Sequence, residues 1–167
     1  MCRNGVVDSA TTLPPPVESI PGAAFAPATA KPASGHPMIC AVRSKGRTLD
    51  FALREAAESG RRLYLLCVRE QRFVTEQDRQ RKWRDDDEAR EIFHAARQTQ
   101  ATAPPLFCYA VSESVASTIV DIAATLGATR LILGAPRRNA FVHLLRGKVI
   151  REVGDQLPED IDLLVYA

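Results

Sequence analysis

The sequence is poor in the residues that build most catalytic and metal centres. Its three histidines, His36, His94 and His143, are far apart along the chain. Its four cysteines form no Cys-x-x-Cys pair and no Cys/His spacing suited to zinc. Cys40, Cys67 and Cys108 sit inside apolar runs and read as buried thiols of a reducing compartment, while Cys2 lies near the N-terminus. Aromatic residues make up only 6% of the chain and do not alternate with its basic residues, so a base-stacking surface for nucleic acid is not expected. No apolar run is long enough to cross a bilayer. The N-terminus lacks the basic start and apolar core of a secretory leader. Together these absences predict a cytoplasmic location without membrane insertion. The Walker lysine loop is missing, as are the His-x-Gly-His and Ser-Gly-Gly-x-Asp-Ser motifs of α/β nucleotide enzymes. No catalytic residue set is therefore expected.

The composition is otherwise that of an ordinary folded domain. Apolar residues are 46% and charged residues 25% of 167, with a net charge of +2. The distribution is less ordinary. Seven of the eleven prolines fall at Pro14, Pro15, Pro16, Pro21, Pro27, Pro32 and Pro37. With Ala, Thr, Ser and Gly filling the spaces, residues 1–37 read as a disordered or extended Pro/Ala-rich tail. It is either a tether or a stretch ahead of the true start of the domain. Residues 38–167 read as the folded unit.

From Met38 onward, strand and helix signals alternate. The expected strands are Met38–Val42, Leu63–Val68, Leu106–Val111, Arg130–Leu133 and Ile161–Tyr166. A first helix from about Thr48 to Ser59 places Leu49, Leu53, Ala56 and Ala57 on one face and stops at Gly60. A second is expected to start from an Asp85 cap completed by Glu88, with Ala89, Ile92, Phe93 and Ala96 inward. Asp85, Asp86, Asp87 and Glu88 read as surface charge matching the helix dipole rather than as a metal site. A third helix, about Glu113 to Leu126, buries Val115, Ile119, Ile122, Ala123 and Leu126, with Ser112 and Ser114 as cap candidates. A loop or short helix around Phe141 to Leu145 leads to a last helix, Lys148 to Gln156, with Val149, Ile150, Val153 and Leu157 inward and Pro158 forcing the exit. Strands alternating with helices predict a single, doubly wound parallel α/β sheet. Ligands of such sheets bind beyond the C-terminal strand ends, where the strand order reverses. The loops there hold Arg43-Ser44-Lys45-Gly46, Val68-Arg69 and the stretch from Gly134 to Lys148.

That last stretch looks like an altered phosphate cradle. The strand Leu131-Ile132-Leu133 runs into Gly134, and Gly147 follows thirteen residues later, read as opening a helix. Glycine turns at a helix N-terminus can present backbone N–H groups to phosphate. Arg137 and Lys148 stand where such a loop favours small residues. Arg43, Lys45, Arg47, Arg69, Arg72, Arg138 and Arg146 also fall at or just after strand ends.

Over about Pro37 to Ala167 the chain resembles the universal stress protein family. The resemblance rests on Thr129-Arg130-Leu131-Ile132-Leu133-Gly134, on Leu144-Leu145-Arg146-Gly147-Lys148-Val149-Ile150-Arg151-Glu152-Val153, and on the spacing Gly134, two residues, Arg137, nine residues, Gly147, Lys148. It implies a Rossmann-like five-stranded sheet of order 3-2-1-4-5 and a site for ATP or another nucleotide, with magnesium accompanying it. The implied nucleotide or phosphate site comprises Ala41, Val42, Arg43, Val68, Leu133, Gly134, Arg137, Gly147, Lys148 and Val149. ATP binders of the family carry a glycine where Arg137 stands, Ser or Thr where Lys148 stands, and an aspartate where Arg43 stands, so all three departures are to cations. The Arg-Arg stretch after strand four, Arg146-Gly147 and Asp162-Leu163-Leu164-Val165-Tyr166 are similar to a subgroup of cytosolic domains fused to amino-acid permease-type transporters. The resemblance also implies a homodimer through the last strand, Leu163, Leu164, Val165 and Tyr166. Two functions remain open at this point. One is a regulatory domain binding a nucleotide or other phosphate ligand, a cyclic dinucleotide included. The other is a ligand-free dimerisation module serving a transporter or signalling partner.

Overall fold

The computed structural model of the chain describes residues 35–99, 104–135 and 140–166, with the stretch 140–147 described as backbone only. Most of the expected tail, and Arg137 and Arg138, lie outside the described residues. In chain order the elements are β1 (Met38–Ala41), α1 (Arg47–Ser59), β2 (Leu63–Glu70), α2 (Glu76–Arg79), a 3-10 turn (Trp83–Asp85), α3 (Asp87–Gln98), β3 (Leu106–Ser112), α4 (Val115–Thr125), β4 (Arg130–Gly134), α5 (Ala140–Gln156) and β5 (Asp162–Tyr166). All strand pairs are parallel, and the five-stranded sheet has the order β3-β2-β1-β4-β5.

The strands follow from sequence alternation. Met38, Cys40, Leu65, Cys67, Phe107, Tyr109 and Ile132 point to one face, where α1 and α3 cover them. Ile39, Leu66, Val68, Cys108, Ala110, Leu131 and Leu133 point to the other, beneath α4 and α5. Burial on both faces is what makes these strands near-continuous apolar runs. The aromatic ring of Phe107 stacks on Phe93 of α3, and Trp83 packs edge-on against both.

The helix faces mostly match the periodicity. Ala89, Ile92, Phe93 and Ala96 are all buried. In α1 the buried set is Leu49, Ala52 and Leu53, with Ala56 packed at the margin, and Ala57 is exposed rather than inward. Ala57, eight residues beyond Leu49, lies about 80° around the helix from it and so falls at the margin of that face. The helix after β4 is longer than expected. It runs unbroken from Ala140, so Gly147 lies about two turns inside it and opens nothing. The stretch Ala140 to Arg146 contains no Pro or Gly, and a single interior glycine costs only about 1 kcal/mol.

The cap of α3 also differs. The 3-10 turn absorbs Asp85, whose carboxylate accepts from the Lys82 amide, and the helix begins one residue later. Asp86 is the cap, accepting from the Ala89 amide at 3.1 Å. It is not surface charge. Only 4% exposed, it takes both forks of Arg69 at 2.8 and 2.7 Å and the Tyr109 hydroxyl at 2.9 Å. Glu88 plays no part in the cap and pairs with Arg69 from outside, at 3.3 Å.

Burial alone would raise the Asp86 carboxyl. The Arg69 guanidinium, the Ala89 amide and the Tyr109 hydroxyl outweigh it and hold its pKa at about 2. A folded value below the unfolded one means that this stabilisation is present in full above about pH 4 and is lost as the pH falls toward 2. Asp86→Ala is expected to cost about 3–5 kcal/mol in urea denaturation, because it strands Arg69 and uncaps α3. Asp87→Ala, one residue on in an exposed pair with Arg90, should cost less than about 1 kcal/mol. Equal losses in the two variants would remove Asp86 from this role.

Candidate functional site

The strand order reverses between β1 and β4. The chain leaves β1 toward β2 on one side, and β4 lies on the other. The loops after the two strands therefore diverge and open a crevice at the C-terminal edge. A cavity of about 350 Å³ fills it. That size suits a small organic ligand.

Its walls have two characters. Leu66, Val68, Val115, Ile119, Leu133, Val149 and Ile150 form an apolar floor from the sheet, α4 and α5. The β1–α1 loop, Arg43 through Thr48, forms a rim with Arg43, Lys45 and Arg47. Among the described residues no Asp or Glu belongs to the lining. Lys45 reaches Glu91 of α3 at 3.1 Å, and both side chains are exposed. Among the described residues neither Arg43 nor Arg47 makes an ion pair. The Arg47 guanidinium lies 5.9 Å from the centroid of the Tyr166 ring, which stacks on Phe51 at 4.3 Å.

Two glycines shape the rim. Gly46 has φ 150 and ψ −165, a conformation that L side chains avoid, and it turns the loop into α1. It caps α1 without any side-chain hydrogen bond, so among the described residues the amides of the first turn have no side-chain cap. Gly134 ends β4 where α1 passes closest. A Cβ there would meet the Thr48 Oγ1 at 2.8 Å. The glycine thus sets how closely β4 and the start of α1 approach.

Of the residues expected to bind a ligand, Ala41, Val42, Arg43, Val68, Leu133, Gly134 and Val149 come together in the lining. Arg137 lies outside the described residues, and Gly147 is described only as helix backbone. Lys148 is not at a helix N-terminus. It sits on the exposed side of α5, 3.4 Å from Glu152 one turn on, and does not line the cavity. The motif spacing points to neither Thr48 nor Ile150, and the resemblance implies Tyr166 only as a dimer contact. A signal for Tyr166 was present, because it is in register with Gly134 and so must reach the same sheet edge.

The three cysteines of the sheet are buried. Burial pushes the Cys40 and Cys108 thiols up to about 12, and burial with the Asp86 charge does the same to Cys67. Among the described residues no cluster of His, Cys, Asp and Glu is placed to hold a metal, and no helix is long and apolar enough to cross a membrane. Ser114 is the N-cap of α4 but makes no side-chain cap bond; its Oγ lies 3.0 Å from the Ser117 Oγ instead.

The sequence pattern of the universal stress protein family matches residues 39–161. No curated protein matches the sequence. Among solved structures, a universal stress protein from Archaeoglobus fulgidus superposes with a TM-score of 0.60 at 23% identity, covering 80% of this chain and 99% of that one. The Archaeoglobus fulgidus protein in complex with dAMP gives 0.57 at 22% identity, covering 80% and 98%. A universal stress protein in complex with cAMP gives 0.51 at 18% identity, covering 79% and 96%. These likenesses are of fold.

The Gly134 contact is testable. Gly134→Ala is expected to destabilise the protein by about 1–3 kcal/mol in chemical denaturation through the clash with Thr48. Adding Thr48→Ala should recover most of that loss, because it removes the opposing oxygen. A double variant no more stable than Gly134→Ala alone would mean that the close approach is not the cause.

Proposed function

The chain belongs to the universal stress protein family, and from that premise we propose that it is a non-catalytic regulatory domain whose crevice binds a nucleotide or another phosphate ligand. The observation that carries this reading is the lining of the crevice. An apolar floor accepts a flat base, and a rim of three cations accepts an anion. The start of α1 adds backbone donors without a side-chain cap among the described residues. Relatives of the same fold are known in complex with dAMP and cAMP, which supports an adenine nucleotide as the first ligand to try. ATP is the family-based candidate within that class. The buried, unpaired thiols fit a cytoplasmic setting.

Calorimetric titration of ATP, AMP and cAMP into the full chain tests the reading. The expected result is saturable binding of at least one of them in the micromolar range. No heat with any of the three up to millimolar concentration would overturn nucleotide binding.

A second observation favours pairing between copies. β5 is an edge strand, Val165 is 43% exposed, and Leu163 and Leu164 are only half-buried. An apolar edge of this kind invites its equal across a two-fold axis. We read it as the homodimer contact, and a transporter or signalling protein as the partner of the dimer. Val165→Lys should shift the chain to monomer in analytical ultracentrifugation. A wild-type monomer, or an unshifted dimer in the variant, would remove β5 from that role.

A further inference from the structure

The lining of the crevice says how its ligand's charge is neutralised. Magnesium in nucleotide sites is commonly held through one or two carboxylates together with the phosphates, which then present less charge to the protein. Here the described lining contains three cations and no Asp or Glu. Glu91 of α3, which pairs with Lys45 at 3.1 Å, lies outside the lining. The described lining therefore offers magnesium no carboxylate, and the hydroxyl residues Ser44 and Thr48 stand among three cations that would repel a divalent ion.

We propose that the β1–α1 loop is a metal-free phosphate site, in which Arg43 and Arg47, helped by Lys45, hold a phosphate or pyrophosphate group as the bare anion. The proposal rests on the phosphate-ligand reading above. The physical argument is one of competition. Magnesium and a guanidinium fork use the same phosphate oxygens, and a bound divalent ion repels a cluster of cations that has no carboxylate to offset it. Arg43 and Arg47 have no ion-pair partner among the described residues, so neither needs to break one to bind. Arg47 rests near the Tyr166 ring, which keeps it at the rim without neutralising it. Lys148, which stands where the resemblance places a phosphate contact, faces Glu152 and does not line the crevice.

The test is a pair of titrations into the full chain, ATP and inorganic pyrophosphate, each in EDTA and in excess magnesium. They are repeated with Arg43→Gln and Arg47→Gln, both exposed positions whose folding is checked by circular dichroism. ATP and pyrophosphate should bind in EDTA, magnesium should leave the affinity unchanged or weaken it, and each arginine variant should lose on the order of tenfold in affinity. If ATP binds but magnesium tightens it, or if neither variant weakens it, the metal-free site is overturned while the nucleotide reading stands. If pyrophosphate binds in EDTA and is lost in the variants while no nucleotide binds, the site stands and the nucleotide reading falls. If neither ligand binds under either condition, both are overturned.

Discussion

A parallel sheet covered on both faces has nowhere to put charge except its ends. In this chain each strand alternates between two cores, one under α1 and α3 and the other under α4 and α5. Charged groups must therefore gather in the loops beyond the strands or be paired where they enter the interior. Asp86 is the one buried polar residue among the described residues, and it is fully engaged by Arg69, Tyr109 and the Ala89 amide. That node fixes the start of α3 against the ends of β2 and β3. The crevice between β1 and β4 is one place where described cations, Arg43 and Arg47, line a cavity without an ion-pair partner among the described residues.

The fold was legible because its signal is repeated. Two cores imposed on short strands give apolar runs, and helices between them give the 3.6-residue period, so each element supports the next. The points that the sequence did not reveal are local competitions. Asp85, Asp86 and Asp87 are chemically equivalent as caps, and only the 3-10 turn at Trp83 decides that Asp86 is the one to go inside. Gly147 resembles a helix start because glycine is a poor helix former. Its cost is small, however, and the flanking residues carry α5 through it.

The site was legible in part for the same reason. Residues that end strands β1, β2 and β4 reach one edge of a parallel sheet whatever their side chains, so strand ends point to Arg43, Val68 and Gly134, and the family resemblance adds Ala41, Val42 and Leu133 beside them. Thr48 could not be placed in this way, because its proximity depends on the close approach that Gly134 permits. Lys148 misled because a motif position was taken to keep its place at a helix N-terminus. The helix reached further back, and the lysine turned outward to Glu152.

Tyr166 joins the two surfaces of the molecule. Its ring lines the crevice and stacks on Phe51, its carbonyl accepts from the Ala135 amide at 2.7 Å, and its strand is the outer edge of the sheet. A group entering the crevice meets this ring, and a strand pairing with β5 meets the backbone that carries it. Two events that compete for, or both tighten, one residue's position are linked in free energy, and the linkage is reciprocal. In an isolated β5 the ring would be free to move and the linkage would be weak. The Phe51 stack, at 4.3 Å between ring centroids, and the bond to Ala135 restrict that movement. The end of β5 thus belongs mechanically to both the crevice and the edge, and the coupling between them is set by how firmly α1 holds Phe51 against Tyr166.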